Sequence, residues 1–155
     1  MALNRPAMTN ALRRAATRFA IASDWAPVTE LPLPNGRRAD LCALTPKGAF
    51  VIIEVKSCAQ DFIADLKWPA YREYCDQFFF AVDPDFPEPL LPPDVGLLVC
   101  DAEETARRRE APVHPLAPAR RQALLRRFAR FAALRCLAAS DPVALIGGRG
   151  SSNPE

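Results

Sequence analysis

Residues 37–57, RRADLCALTPKGAFVIIEVKS, decide the fold. Thr45-Pro46-Lys47-Gly48 is a turn signal, because proline fixes φ and glycine permits the reversal. The flanks are short apolar runs: Leu41, Ala43 and Leu44 before it, Phe50 to Ile53 after it. They read as two antiparallel strands. Side chains alternate faces along a strand, so Glu54 and Lys56 point one way and Val55 the other. Pairing outward from the turn puts Asp40 opposite Ile53 or Glu54, depending on one residue of register. In the second case two carboxylates and an ammonium converge at one end of an apolar hairpin. Charges at that density cost several kcal/mol in a buried sheet unless compensated. A divalent metal is one compensation and mutual pairing is another.

Outward from this hairpin, Asn35-Gly36 is a further hairpin signal. A strand at 28–33 therefore precedes the one at 38–44, and with the strand at 49–56 they form a three-stranded antiparallel meander. Glu30 lies on the first strand near Asp40, and a one-residue slip decides which face it takes. Before the meander, Leu12, Ala15, Ala16, Phe19 and Ala20 recur at helical spacing, with Thr9 or Asn10 as the cap of a helix ending near residue 22. Arg14 and Arg18 share its polar side, as a solvated face or as a patch for DNA. After the meander a helix is expected over 60–76, kinked or broken at Pro69. Lys67 and Tyr71 sit one turn apart on it.

Residues 77–82 and 95–100 are compact apolar strands suited to the middle of a mixed sheet. A proline-rich surface loop joins them. Thr105 to Glu110 reads as a polar edge strand. His114 is a loop residue and, as the only histidine, a poor metal-ligand candidate. Pro118 opens a long helix with Leu124, Leu125, Phe128, Phe131, Ala132 and Leu134 on its apolar face. The tail from 147 is rich in Gly, Ser and Pro.

At 155 residues, half hydrophobic and a quarter charged, the chain is sized for one domain with a real core. The division expected is a flexible N-terminus at 1–8, one domain at 9–139 and a flexible tail at 140–155. Net charge is only +2, so no strong overall field draws nucleic acid, although arginines crowd the last third. Five scattered cysteines with no CxxC pair argue against a zinc site and for buried thiols in a reducing compartment. With neither signal-peptide pattern nor ~18-residue apolar run, the expected location is cytoplasmic, without membrane contact. P-loops, GxGxxG, HExxH and nucleophile elbows are absent.

Asp40 followed, after a spacer, by Glu54-Val55-Lys56 resembles the D…(D/E)xK core of the PD-(D/E)XK nuclease superfamily. The downstream Asp61-Phe62, Asp65, Lys67-Trp68, Tyr71, Cys75-Asp76 and Phe78 to Val82 resemble the MmcB family of bacterial DNA-repair endonucleases, over about residues 9–135. This resemblance implies an α/β fold, a restriction-endonuclease-like mixed sheet flanked by helices. It implies a metal-dependent DNA endonuclease with Asp40, Glu54 and Lys56 catalytic. Asp40, Glu54 and the Val55 carbonyl would hold Mg2+, for which Mn2+ substitutes. Magnesium keeps several waters, so two carboxylates suffice. Lys56 would assist the attacking water. Lys67 and Tyr71 would meet the substrate, Lys67 standing where many superfamily members carry Gln. Glu30, Asp61 and Asp65 are accessory candidates. DNA is the expected partner, with a homodimer and other repair proteins as further expectations. The alternatives are a catalytically inert nucleic-acid-binding repair factor on the same fold and an interaction module unrelated to nucleic acid. The solvated Glu54–Lys56 ion pair is the plain reading of the triplet alone.

Overall fold

A computed structural model describes residues 4–144. Packing divides the chain after Ala117 into two compact units. The first carries a six-stranded sheet whose spatial order is its sequence order: β1 (Ala26–Pro32), β2 (Arg38–Leu44), β3 (Phe50–Val55), β4 (Gln77–Val82), β5 (Gly96–Cys100) and β6 (Thr105–Arg109). β1–β2–β3 is the antiparallel meander, β3–β4–β5 are parallel, and β6 returns antiparallel at the edge. Every residue of β3 and β5 is buried, as continuous apolar runs in the middle of a sheet require. The tight turn before β3 closes by a Gly48 N–H to Thr45 carbonyl bond of 2.9 Å, with Gly48 at φ +84°.

Helix α1 (Arg5–Ala22) packs Leu12 and Ala16 into a cluster with Leu41, Val51, Ile53, Val55, Phe79 and Ala81. It starts earlier than Thr9 or Asn10. Asn4 is the cap, its Oδ1 accepting the Ala7 N–H at 3.0 Å, and a proline occupies the first turn. Asn4-Arg5-Pro6 is thus a complete start signal, and Thr9 sits inside the helix with its hydroxyl on the Arg5 carbonyl. Residues 5–8 are therefore helical, not a loose terminus. Residues 1–3 lie outside the described part, as does the expected tail from 145 onward.

On the opposite sheet face the stretch expected as a helix kinked or broken at Pro69 is in two pieces. A short helix α2 (Ala59–Ala64) ends at Asp65, and a 3-10 helix (Trp68–Tyr74) follows. Pro69 lies in the first turn of the second piece, where its missing N–H leaves no helical bond unmade. Trp68 stacks on Phe78 and meets Phe80 edge-on, while Phe62 meets Phe80 from α2. These aromatics cover the face of β4 that α1 does not. Of the cysteines, all free, Cys42, Cys75 and Cys100 are buried, Cys58 is half-buried and Cys136 exposed.

The second unit holds α3 (Pro118–Ser140), opening at Pro118 as its sequence suggests. Leu124 and Phe128 are buried, but Leu125 and Leu134, expected on the apolar face, are exposed. Arg135 lies over the Phe131 ring at 4.3 Å. No helix among the described residues is long and apolar enough to cross a membrane.

Candidate active site

The β2–β3 ladder ends at Leu41↔Ile53. One step further Asp40 and Glu54 stand opposite each other, the register that brings the two carboxylates together. No backbone ladder continues there; the side chains take its place. The Asp40 N–H donates to Glu54 Oε1 at 2.8 Å, and the Val55 N–H donates to Asp40 Oδ2 at 2.9 Å. Each carboxylate thus satisfies a backbone donor of the facing strand where the strands part. Glu54 is only 4% exposed. Burial first, then the negative charge of Asp40, lifts its carboxyl well above the usual range; the Asp40 N–H and the Lys56 ammonium only partly oppose this.

Lys56 leaves the sheet beyond β3, its N–H bonded to the Ala81 carbonyl at 3.0 Å. Its side chain is mostly buried and its Nζ donates to Asp65 Oδ2 at 2.7 Å. Asp65 caps the end of α2, and its Oδ1 accepts the Lys67 N–H at 3.1 Å. Burial works against ionisation of Asp65, but the Lys56 bond and charge outweigh it and hold the carboxyl below its ordinary range. Asp61 behaves alike: against its burial, bonds from Ser57 and Cys58 and the Arg5 guanidinium at 3.4 Å keep it low. Asp65 and Asp61 therefore fix Lys56 and Ser57 in place.

Tyr71 is buried, stacks on Phe78 and donates its hydroxyl to the Arg38 carbonyl at 3.2 Å. Burial, then the carboxylates of Glu54, Asp40 and Asp65, push its phenol up to about 12, so it stays a proton donor. Lys67 is exposed and precedes the 3-10 helix. With three residues per turn there, Lys67 and Tyr71 do not share a face as they would on an α-helix. Their expected partnership is corrected accordingly, and only Tyr71 packs beneath the carboxylate pair's strand.

Glu30 faces the site's other flank. The β1–β2 register runs Thr29↔Leu41 and Leu31↔Ala39, so Glu30 lies opposite Asp40. Its backbone is left-handed, φ +57°, and its Oε1 lies 3.4 Å from Arg13 Nη1 and 3.9 Å from Arg38 Nη2. Arg13 was not legible in the sequence, where Arg14 and Arg18 drew notice; both of those are exposed. Asp76, also missed as a structural group, is buried and accepts the N–H groups of Phe50 at 2.7 Å and Leu116 at 2.9 Å. Among the described residues no three His, Cys, Asp or Glu side chains converge to cage a metal. Asp40 and Glu54 stand as a pair.

A family profile described as "DNA repair protein MmcB-like" matches residues 3–143. A solved structure of a protein of unknown function from Silicibacter pomeroyi superposes with a TM-score of 0.82 at 40% identity, covering 100% of both chains. No curated protein matches.

Proposed function

The chain belongs to the MmcB-like family of DNA repair proteins, and on that premise we propose that it is a Mg2+-dependent DNA endonuclease acting at Asp40, Glu54 and Lys56. The observation that carries the reading is the under-compensated charge at Glu54. It is buried beside a second carboxylate, and the nearest ammonium, Lys56, is committed to Asp65. A divalent cation is the compensation such a pair suits, and magnesium needs no more than two carboxylates. In an extended strand a residue's N–H and C=O point to the same edge. The Val55 carbonyl is therefore directed, like its N–H, to the Asp40 side and would be the third ligand. A cation held there would polarise a phosphate oxygen and acidify a bound water.

The remaining work falls to the chain's own groups. Asp65 fixes the Lys56 ammonium on the Glu54 face, where it orients the attacking water and offsets phosphate charge. Tyr71, protonated and held by the Arg38 carbonyl, supports the strand bearing Asp40. Lys67, exposed at the rim, meets a neighbouring phosphate, as do Arg37 and Arg38 at the start of β2.

The test is Lys56→Ala, with nicking measured on duplex, branched and single-stranded DNA in magnesium. Metal and DNA binding should hold within about tenfold, ~1.4 kcal/mol. The cleavage rate should fall roughly a hundredfold or more, as on loss of a positioned acid–base group. An inert DNA-binding repair factor would instead show no magnesium-dependent nicking in the parent. Activity surviving equally in the variant would show the mechanism to be wrong.

A further inference from the structure

Arg13 reaches the site from α1, the helix on the far face of the sheet. Its Nη1 lies 3.4 Å from Glu30 Oε1 and its Nη2 3.9 Å from Asp40 Oδ1. Both distances exceed those of a well-formed N–H···O bond, so charge rather than closed hydrogen bonds holds the guanidinium. Its Nε is buried and has no hydrogen-bond partner among the described residues. A buried donor left unmade costs free energy, which weakens the hold of this position. Glu30 shows the same tension: a non-glycine residue in left-handed backbone persists only where its surroundings impose it. Two unrelated departures from the relaxed state thus meet around one guanidinium beside Asp40.

We propose that Arg13 is a working residue of this site: it is the counter-ion of Asp40 and Glu30 until a divalent cation takes its place at Asp40, and it then engages a phosphate of the bound strand. The inference rests on the metal-site reading above. A guanidinium and a dication cannot both crowd Asp40 Oδ1 without mutual repulsion in a partly buried site. Displaced, the guanidinium presents a planar fork of donors, the Nε–H included, that matches two phosphate oxygens. In that second position the Nε also gains a partner.

The experiment measures Mn2+ binding by calorimetry, and binding of a short DNA duplex in Ca2+, for the parent, Arg13→Gln and Arg13→Lys. Far-UV spectra and melting curves confirm the fold. Removing the competing cation should tighten Mn2+ binding at least about fivefold while weakening duplex binding about tenfold. Opposite signs mark the role, because a merely structural defect lowers both affinities together. Unchanged or weaker Mn2+ binding in Arg13→Gln overturns the inference, as does undiminished duplex binding. Should Arg13→Gln fail to fold, Arg13→Lys carries the test: the charge remains but the fork is lost, so duplex binding should still fall severalfold, and parental duplex affinity overturns it. A parent in which Asp40→Asn leaves Mn2+ affinity intact refutes the metal site itself, and this inference with it.

Discussion

Replacing Glu54 by Gln exchanges one carboxylate oxygen for an amide nitrogen and removes one charge. Gln keeps an oxygen to accept the Asp40 N–H now bonded at 2.8 Å, so the opening between β2 and β3 keeps its bridge. It removes a carboxylate that is 4% exposed, lies beside Asp40 and is only partly offset by Lys56. The effective penalty for a buried ion is several kcal/mol, part of it already recovered by the Asp40 N–H and Lys56. In chelator the variant should therefore be more stable by about 1–3 kcal/mol, a rise in Tm of roughly 2–12 °C for a domain of this size. The sign follows the shift. With a folded-state value raised above 4.5, Glu54 contributes stability that is fully present below 4.5 and lost as pH rises through the folded-state value. The advantage of Gln should vanish in acid and grow across that window. At a thousandfold its Kd, magnesium adds about 4.1 kcal/mol to the parent that binds it, more than the advantage of Gln, so the order should invert. Thermal unfolding at a series of pH values, with and without magnesium, reads all of this. A variant equally destabilised in chelator and in magnesium would refute the argument that Glu54 is strained by its own charge.

Two further outcomes follow from the packing. Asp76→Ala strands the N–H groups of Phe50 and Leu116 and should cost about 2–6 kcal/mol in denaturant unfolding, at roughly 1–3 kcal/mol per stranded donor, while Mn2+ affinity stays at the parent's value. Gly96→Ala would drive a methyl into the ring of Phe79, its partner across β4–β5, and should lower stability by about 1–3 kcal/mol or more. A Gly96→Ala protein that melts with the parent would mean that β5 can shift without cost.

The sheet was legible because its signals are local. Turn residues at Asn35-Gly36 and Thr45 to Gly48 and the apolar runs in β2, β3, β4 and β5 mark the strands. The register at Asp40 was legible only to within one residue. Pairing outward from the turn cannot say where the ladder stops, and it stops at Leu41↔Ile53 so that carboxylates replace backbone bonds. What escaped the sequence depends on long-range approach. Arg13 and Glu30 are seventeen positions apart, and nothing in helical spacing says that one arginine of four on α1 reaches over the sheet. Asp76 reads as the polar end of a helix, yet it joins the start of β3 to the segment before α3. The break expected at Pro69 in the stretch 60–76 is present, because proline is legible as a helix start or stop from the sequence alone, but that the second piece is a 3-10 helix was not.

Sheet order equal to chain order also has a consequence for how the molecule comes to exist. Each strand can add to an edge formed by the one made just before it, so β1 to β6 can assemble as the chain leaves the ribosome, with short loops to close at most steps. Helix α1 is the exception. It is made first yet touches all six strands. It must wait until the last of them, β6, is in place before its own contacts are complete. Until then Leu12, Ala16 and the apolar side of the nascent sheet share the same need for cover. The N-terminal helix, first in sequence, completes its contacts only once the last strand has been made.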